Sequence, residues 1–248
     1  MMIPLSMTST KAAIIAQLQK DILPLQGFKR TLNPTALNVV PRAIKNAFPN
    51  AEFPLGAVHE FFYAGTEDAA ASRGFISGVL ASLLRNGGAS IWISSCRTIF
   101  PPALISFGIT PDKIIFIDLQ KEKEILWATE EALKCDGLAA VIGEMQELSF
   151  TSSRRLLLAV EESQVTGFIL RHNPGSLNTT ACVTRWKVTS LPSELAGDMP
   201  GVGFPRWNVE LLKVRNGKPG SWQIEFAAGR FRHISKITAI ALEQKKTG

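Results

Sequence analysis

The chain has 248 residues, 46% of them hydrophobic and 19% charged, with a formal net charge of +6. That length suits one large α/β domain with extensions and a sizeable core, and no apolar run reaches the ~18 residues of a membrane span. The N-terminus lacks the order of a signal peptide, and the three cysteines (Cys96, Cys135, Cys182) and three histidines (His59, His172, His233) are scattered. This usage excludes a disulfide framework and points away from a metal cluster, so a reducing, cytoplasmic setting without a membrane is expected.

Charge is unevenly spread. Residues 1–50 carry six Lys/Arg and one acid, residues 51–170 nine and fifteen, and residues 171–248 twelve and five. An acidic middle thus lies between basic flanks. A basic flank suits nucleic acid or an acidic protein, and equally a solvated surface.

In chain order, "STKAAIIAQLQKDILPLQG" (residues 9–27) reads as a helix with Ser9 or Thr10 as cap and Ile14, Ile15 and Leu18 as its apolar stripe. Residues 28–54, with four prolines, read as a connecting segment holding one helical turn. "AVHEFFYAG" is a strand and 69–86 a helix ended by Gly87-Gly88. "SIWISSC" is a strand apolar on both faces, and "PPALISFGI" starts a helix at proline. "KIIFIDL" is a strand, 122–135 a helix, "LAAVIGEM" a strand, 151–164 a helix capped by Thr151, and "VTGFILRH" a strand. Strands alternating with helices at these lengths imply a parallel sheet with right-handed crossovers. After His172, "ACVTRWKVTSL", "RWNVELLKVR" and "SWQIEFA" alternate apolar and polar residues between Pro/Gly-rich turns. They read as an antiparallel extension of the same sheet. The expected fold is therefore α/β, a mostly parallel sheet flanked by helices and extended by C-terminal antiparallel strands. The expected division is an N-terminal helix and linker (1–50), a core domain (51–240) and a tail (241–248).

"HEFFYAGTEDAAAS" has the strand–loop–helix order of a phosphate-binding loop, yet it lacks the Lys-Ser/Thr pair that holds the phosphates and Mg²⁺. The candidate loop positions are Gly65, Thr66, Glu67, Asp68 and Ser72. Glu67 and Asp68 would repel a triphosphate, whereas acids in a helix's first turn stabilise it. Glu144, at the end of "AAVIGEM", stands where a metal-holding carboxylate is expected, and Arg97 stands where a water-orienting acid would be useful. Cys96 has no histidine in a nearby element and reads as a buried thiol. Ser152 and Ser153 read as helix-capping residues, with Arg154 and Arg155 on the helix surface. Arg171, the run Arg185-Trp186-Lys187 and the pair Arg206-Trp207 are candidate DNA or partner contacts, since cations beside indoles suit both phosphate-plus-base stacking and protein hot spots. The competing reading turns the tryptophans inward and the cations outward.

The order of elements over 56–248 resembles a RecA-type recombinase core. The stretches "PLGAVHEFFYAG", "ILWATEEALKCDGLAAVIGEM", "LSFTSSRRLLLAVEES", "TRWKV" and "PRWNVELLKVRNGKPGSWQIEF" are similar to the ImuA family, RecA-like accessories of the SOS response also related to the cell-division inhibitor SulA. The resemblance implies a role in damage-induced mutagenesis, with an ImuB-like polymerase-family protein, an error-prone polymerase and a RecA-like filament as partners. It does not imply an enzyme, and the departure from RecA at the Walker Lys-Thr and the catalytic glutamate makes the expected role non-catalytic. The resemblance matches 64–72 to the phosphate loop, Glu144 to the Walker B end, 172–184 to the DNA-binding loop, and Arg215 to the strand whose cations act across the filament interface. No cofactor is expected. The alternative is a DNA-dependent ATPase using ATP and Mg²⁺, or a single-stranded-DNA-binding recombinase paralogue.

Overall fold

One sheet organises the chain. The computed structural model describes residues 39–172, 178–194 and 201–234, and the expected N-terminal helix and C-terminal tail lie outside them. Among the described residues the strands are β1 (Val58–Tyr63), β2 (Ala89–Ser94), β3 (Ile114–Asp118), β4 (Leu138–Met145), β5 (Thr166–His172), β6 (Thr184–Leu191), β7 (Arg206–Val214), β8 (Gly220–Ala227) and β9 (Arg230–His233). Their order is β3-β2-β4-β5-β1-β6-β7-β8-β9. From β3 to β6 all neighbours are parallel; from β6 to β9 all are antiparallel. The α/β sheet with an antiparallel extension is as the sequence implies, with β9 an addition.

The helices are α1 (Arg42–Lys45), α2 (Thr66–Leu84), α3 (Glu122–Leu133) and α4 (Phe150–Ser163). Two expectations need correcting. α4 is capped by Ser149, whose Oγ accepts from the Ser152 N–H, because that residue sits just before the first turn with extended backbone. The helix expected after "PP" is a 3₁₀ segment, Pro101–Phe107, ended by Gly108 in the left-handed region at φ 85°.

The parallel strands are apolar on both faces because both are covered. On one face α2, through Phe75, packs with Phe61, Trp92, Trp186, Trp207 and Phe226; on the other α3 and α4 pack Ile125, Leu133, Leu156 and Val160 against Val58, Val141 and Ile169. α2 buries residues around most of its circumference. Residues 39–53 join the first core: Val39, Val40, Ile44, Phe48 and Phe53 are buried, and Phe48 meets Phe53 edge-on at 5.5 Å. No helix among the described residues is long and apolar enough to cross a membrane.

Candidate functional site

The turn between β1 and α2 is short. β1 ends at Tyr63, α2 begins at Thr66, and Ala64 and Gly65 alone connect them. A loop that wraps phosphate needs several successive N–H groups free of the helix ladder. Here Thr66, Glu67, Asp68 and Ser72, expected in such a loop, lie within α2 itself, and Ala69 N already bonds Gly65 O at 2.9 Å. Gly65 precedes the helix with extended backbone and no side-chain cap. Glu67 and Asp68 occupy the first turn, where carboxylates offset the exposed N–H groups. The Ser72 hydroxyl is fully buried and has no hydrogen-bond partner.

Next to Ser72 on α2, Arg73 takes over the space beside the end of β4. Its Nε and Nη2 donate to the two oxygens of Glu144 at 2.9 and 2.7 Å. Trp92 Nε1, from β2, donates to Glu144 Oε1 at 2.8 Å. Arg73 Nη2 also donates to the Tyr63 hydroxyl at 3.3 Å, and its guanidinium carbon lies 5.5 Å from the centre of that ring. Only 15% and 11% of the Arg73 and Glu144 side chains are exposed, so the pair is shielded from solvent. Burial opposes the charge on Arg73, but the hydrogen bond and charge of Glu144 outweigh it and raise the guanidinium above its ordinary range. Burial, and then the Glu144 charge, push the Tyr63 phenol up, which keeps it protonated. Three donors therefore satisfy the carboxylate expected to hold a metal, and its charge is neutralised from within the chain. A divalent cation there would have to displace Arg73. The residues present do not fit Mg²⁺-nucleotide.

A second cluster surrounds Glu60, fully buried in the middle of the sheet. Arg171 Nη1 donates to one oxygen at 2.7 Å; Arg185 Nε and the Thr180 hydroxyl donate to the other, each at 2.8 Å. Asn178 joins through Arg171 Nη1 at 3.0 Å and Arg185 Nη2 at 2.6 Å. Lys213 Nζ donates to Thr180 O at 2.7 Å and Arg215 Nη2 to Ala181 O at 3.2 Å. Burial, followed by the charge of Arg185, lowers the Lys213 ammonium from its ordinary value. These cations tie β1, β5, β6 and β7 to the chain segment entering β6.

The Arg-Trp pairs divide. Trp186 is fully buried, stacked on Phe61 at 5.9 Å with its Nε1 donating to Thr184 Oγ1 at 2.7 Å. Trp207 is buried against Phe226 and Phe231. Alternation on β6 and β7 turns both indoles into the core, so neither presents a face for stacking a base. Arg171 is buried on Glu60 instead of reaching solvent. Lys187 is half-buried on β6. Arg206 pairs with Glu194 and Glu225 at 2.7 and 2.8 Å. Arg97 pairs with Asp118 at 2.7 Å on the surface, and Cys96 is exposed, correcting its reading as a buried thiol. Ser153 Oγ accepts from Ala181 N at 2.9 Å, and Arg155 pairs with Glu130 at 2.6 Å.

Sequence reasoning missed Arg73, Trp92, Tyr63 and Glu60. The one available signal was a buried-strand Glu (Glu60 inside "HEFFY"), which demands paired cations. Beside the Arg73 pair, an apolar groove of about 650 Å³ opens between α2, the Pro101–Phe107 segment and the strand ends around Leu191 and Trp207.

No family model matches the chain. It is similar to Protein ImuA of Caulobacter vibrioides (strains NA1000 / CB15N and CB 15), 33% identical over 195 residues that cover 74% of this chain and 80% of that protein. Over 114 residues it is 29% identical to the cell division inhibitor SulA of Photorhabdus laumondii, covering 44% of this chain and 64% of that one. Its fold is similar to that of the RadB recombinase, with a TM-score of 0.55 at 11% identity over 80% of this chain and all of that one. The core is thus RecA-like, and at that identity and coverage the chain belongs to the ImuA family.

Proposed function

We propose that this protein is a non-catalytic RecA-like accessory of the DNA-damage (SOS) response. It supports error-prone translesion synthesis by binding an ImuB-like polymerase-family protein, a RecA-like filament, or both. The observation that carries the reading is the Arg73–Glu144 pair: a chain cation, with Trp92 and Tyr63, stands where phosphate and metal would be held. The two-residue turn before α2 supports it. A scaffold of this kind stays folded without its ligand, because the sheet and both cores are continuous around the sealed site.

The test is calorimetric titration of the full chain with ATP and Mg²⁺, with and without single-stranded DNA. No heat of binding is expected. Saturable binding would overturn the non-catalytic reading and move the protein to the ATPase class. Immobilised ImuB-like protein and RecA filament are then tested as partners, and failure of both to bind would overturn the adaptor reading.

A second reading, single-stranded DNA binding, draws on the half-buried Lys187 of β6, since Arg185, Lys213 and Arg215 would first have to leave Glu60, Thr180 and Ala181. It predicts an affinity that falls steeply with salt. Absence of binding at low salt would remove it.

A further inference from the structure

The groove beside Arg73 has a chemistry at odds with the chain's overall charge. Its walls are Phe100, Leu104, Phe107, Val202, Phe204 and Trp207. Phe100 is 69% exposed, Val202 88% and Phe204 48%, so three large apolar side chains face solvent around one concavity. Exposed apolar surface gathered in a cleft marks a binding site more often than scattered single residues do.

The groove's cations are already neutralised. Arg73 is held by Glu144, and Arg206 by Glu194 and Glu225. Glu67 also lines the groove, exposed, with Asp68 beside it on the first turn of α2, and among the described residues neither takes part in an ion pair. On a chain of net charge +6, this mouth is locally acidic. Phosphates would meet apolar walls and unpaired carboxylates there. A segment with apolar residues on one side and Lys or Arg at its edge would bury the first and pair the second.

We propose that this groove is a docking site for a basic amphipathic segment of a partner protein, seated in helix-in-groove fashion with its apolar face on Phe100, Phe107 and Phe204 and its cations toward Glu67 and Asp68. This rests on the adaptor reading and supplies the partner's chemistry. The two fail separately: nucleotide binding would sink the adaptor reading, and the groove is tested by its own variants.

The probe is a fluorescein-labelled peptide of about 18 residues with Leu at helical i, i+3/i+4 spacing and Lys elsewhere, and a counterpart with Glu for Lys. Anisotropy is read on the full chain, on Phe204→Asp and on the double variant Glu67→Lys/Asp68→Lys. Phe204 and Glu67 are exposed, so these chains are expected to fold, which thermal melting checks. The Lys peptide is expected to saturate the native chain and to bind about tenfold or more weakly to both variants. The double variant is expected to gain affinity for the Glu peptide. Affinity unchanged by either variant, no saturable binding, or displacement by a single-stranded oligonucleotide would overturn the proposal. So would binding that appears only after removal of residues 1–38, because the chain's own N-terminal segment would then be the occupant.

Discussion

Arg73 and Ser72 are neighbours on α2 with opposite relations to their surroundings, and each makes a prediction. Arg73→Ala leaves Glu144 shielded from solvent with the Trp92 indole as its remaining donor. Removing one partner of a buried pair costs several kcal/mol, and the partial exposure here reduces that to about 2 kcal/mol. Urea denaturation of the variant measures it; a loss under about 0.5 kcal/mol would mean the pair is not structural. Ser72 ends the stretch matched to the phosphate loop, but its Oγ is buried without a partner. An unsatisfied buried hydroxyl costs about 1–3 kcal/mol, so Ser72→Ala is expected to leave stability unchanged or raise it by about 1 kcal/mol. A lowered melting temperature would show that the hydroxyl has a structural partner, and loss of a ligand's stabilisation would give it a binding role.

α2 shows what an element gains from residues that lower its own propensity. Gly74 and Gly78 sit mid-helix, where each costs about 0.5–1 kcal/mol relative to Ala. A Cβ at Gly74 would lie 2.8 Å from the Trp207 ring, and one at Gly78 would lie 2.5 Å from Phe231 and 3.0 Å from Phe226. The glycines therefore let β7, β8 and β9 press their aromatic side chains against the helix. Gly78→Ala gains helix propensity and loses more through overpacking, for a net destabilisation of about 1–2 kcal/mol by thermal melting. A stabilised variant would show that Phe231, at the sheet's edge, yields freely. The elements were mostly legible: β4 spans the residues its apolar run marks, because burial on both faces leaves no polar break. β9 was not, since "RFRH" holds a single apolar residue and takes its pairing from β8. α2 begins at Thr66, ahead of the expected residue 69, because Glu67 and Asp68 before an alanine run favour the first turn of a helix.

At the scale of the whole molecule, sequence spacing reached single members of each cluster and not their partners. Glu144 was legible as a carboxylate at a strand end, but its cation lies 71 positions away on a helix whose path over β4 follows from sheet order. Arg171 carries a surface-like signal in sequence, and the closure of β1 between β5 and β6 buries it, whereas alternation along β6 already allowed Trp186 to point inward. His59 is the case with a global readout. It lies in β1, fully buried, and the network assigns its tautomer: Pro54 O can only accept, so Nε2–H donates to it at 2.8 Å. Nδ1 then accepts from the Thr184 hydroxyl at 2.7 Å, and that hydroxyl accepts from Trp186. Burial lowers the imidazole to about 4 from its ordinary 6.5, against the Pro54 bond that raises it. The unfolded chain takes up this proton near its ordinary value and the folded chain near the lowered one, so the unfolded state binds more protons between them. The contribution is complete above pH 6.5 and is lost as pH falls through the window down to about 4, reaching about 3 kcal/mol. Urea midpoints measured across that window are expected to fall more steeply for the native chain than for His59→Gln. The His59 proton resonance in the native chain should not titrate above pH 5, a readout that holds even if the variant fails to fold. An ordinary titration near 6.5 would mean that water reaches the ring and that the strand pairing around it opens.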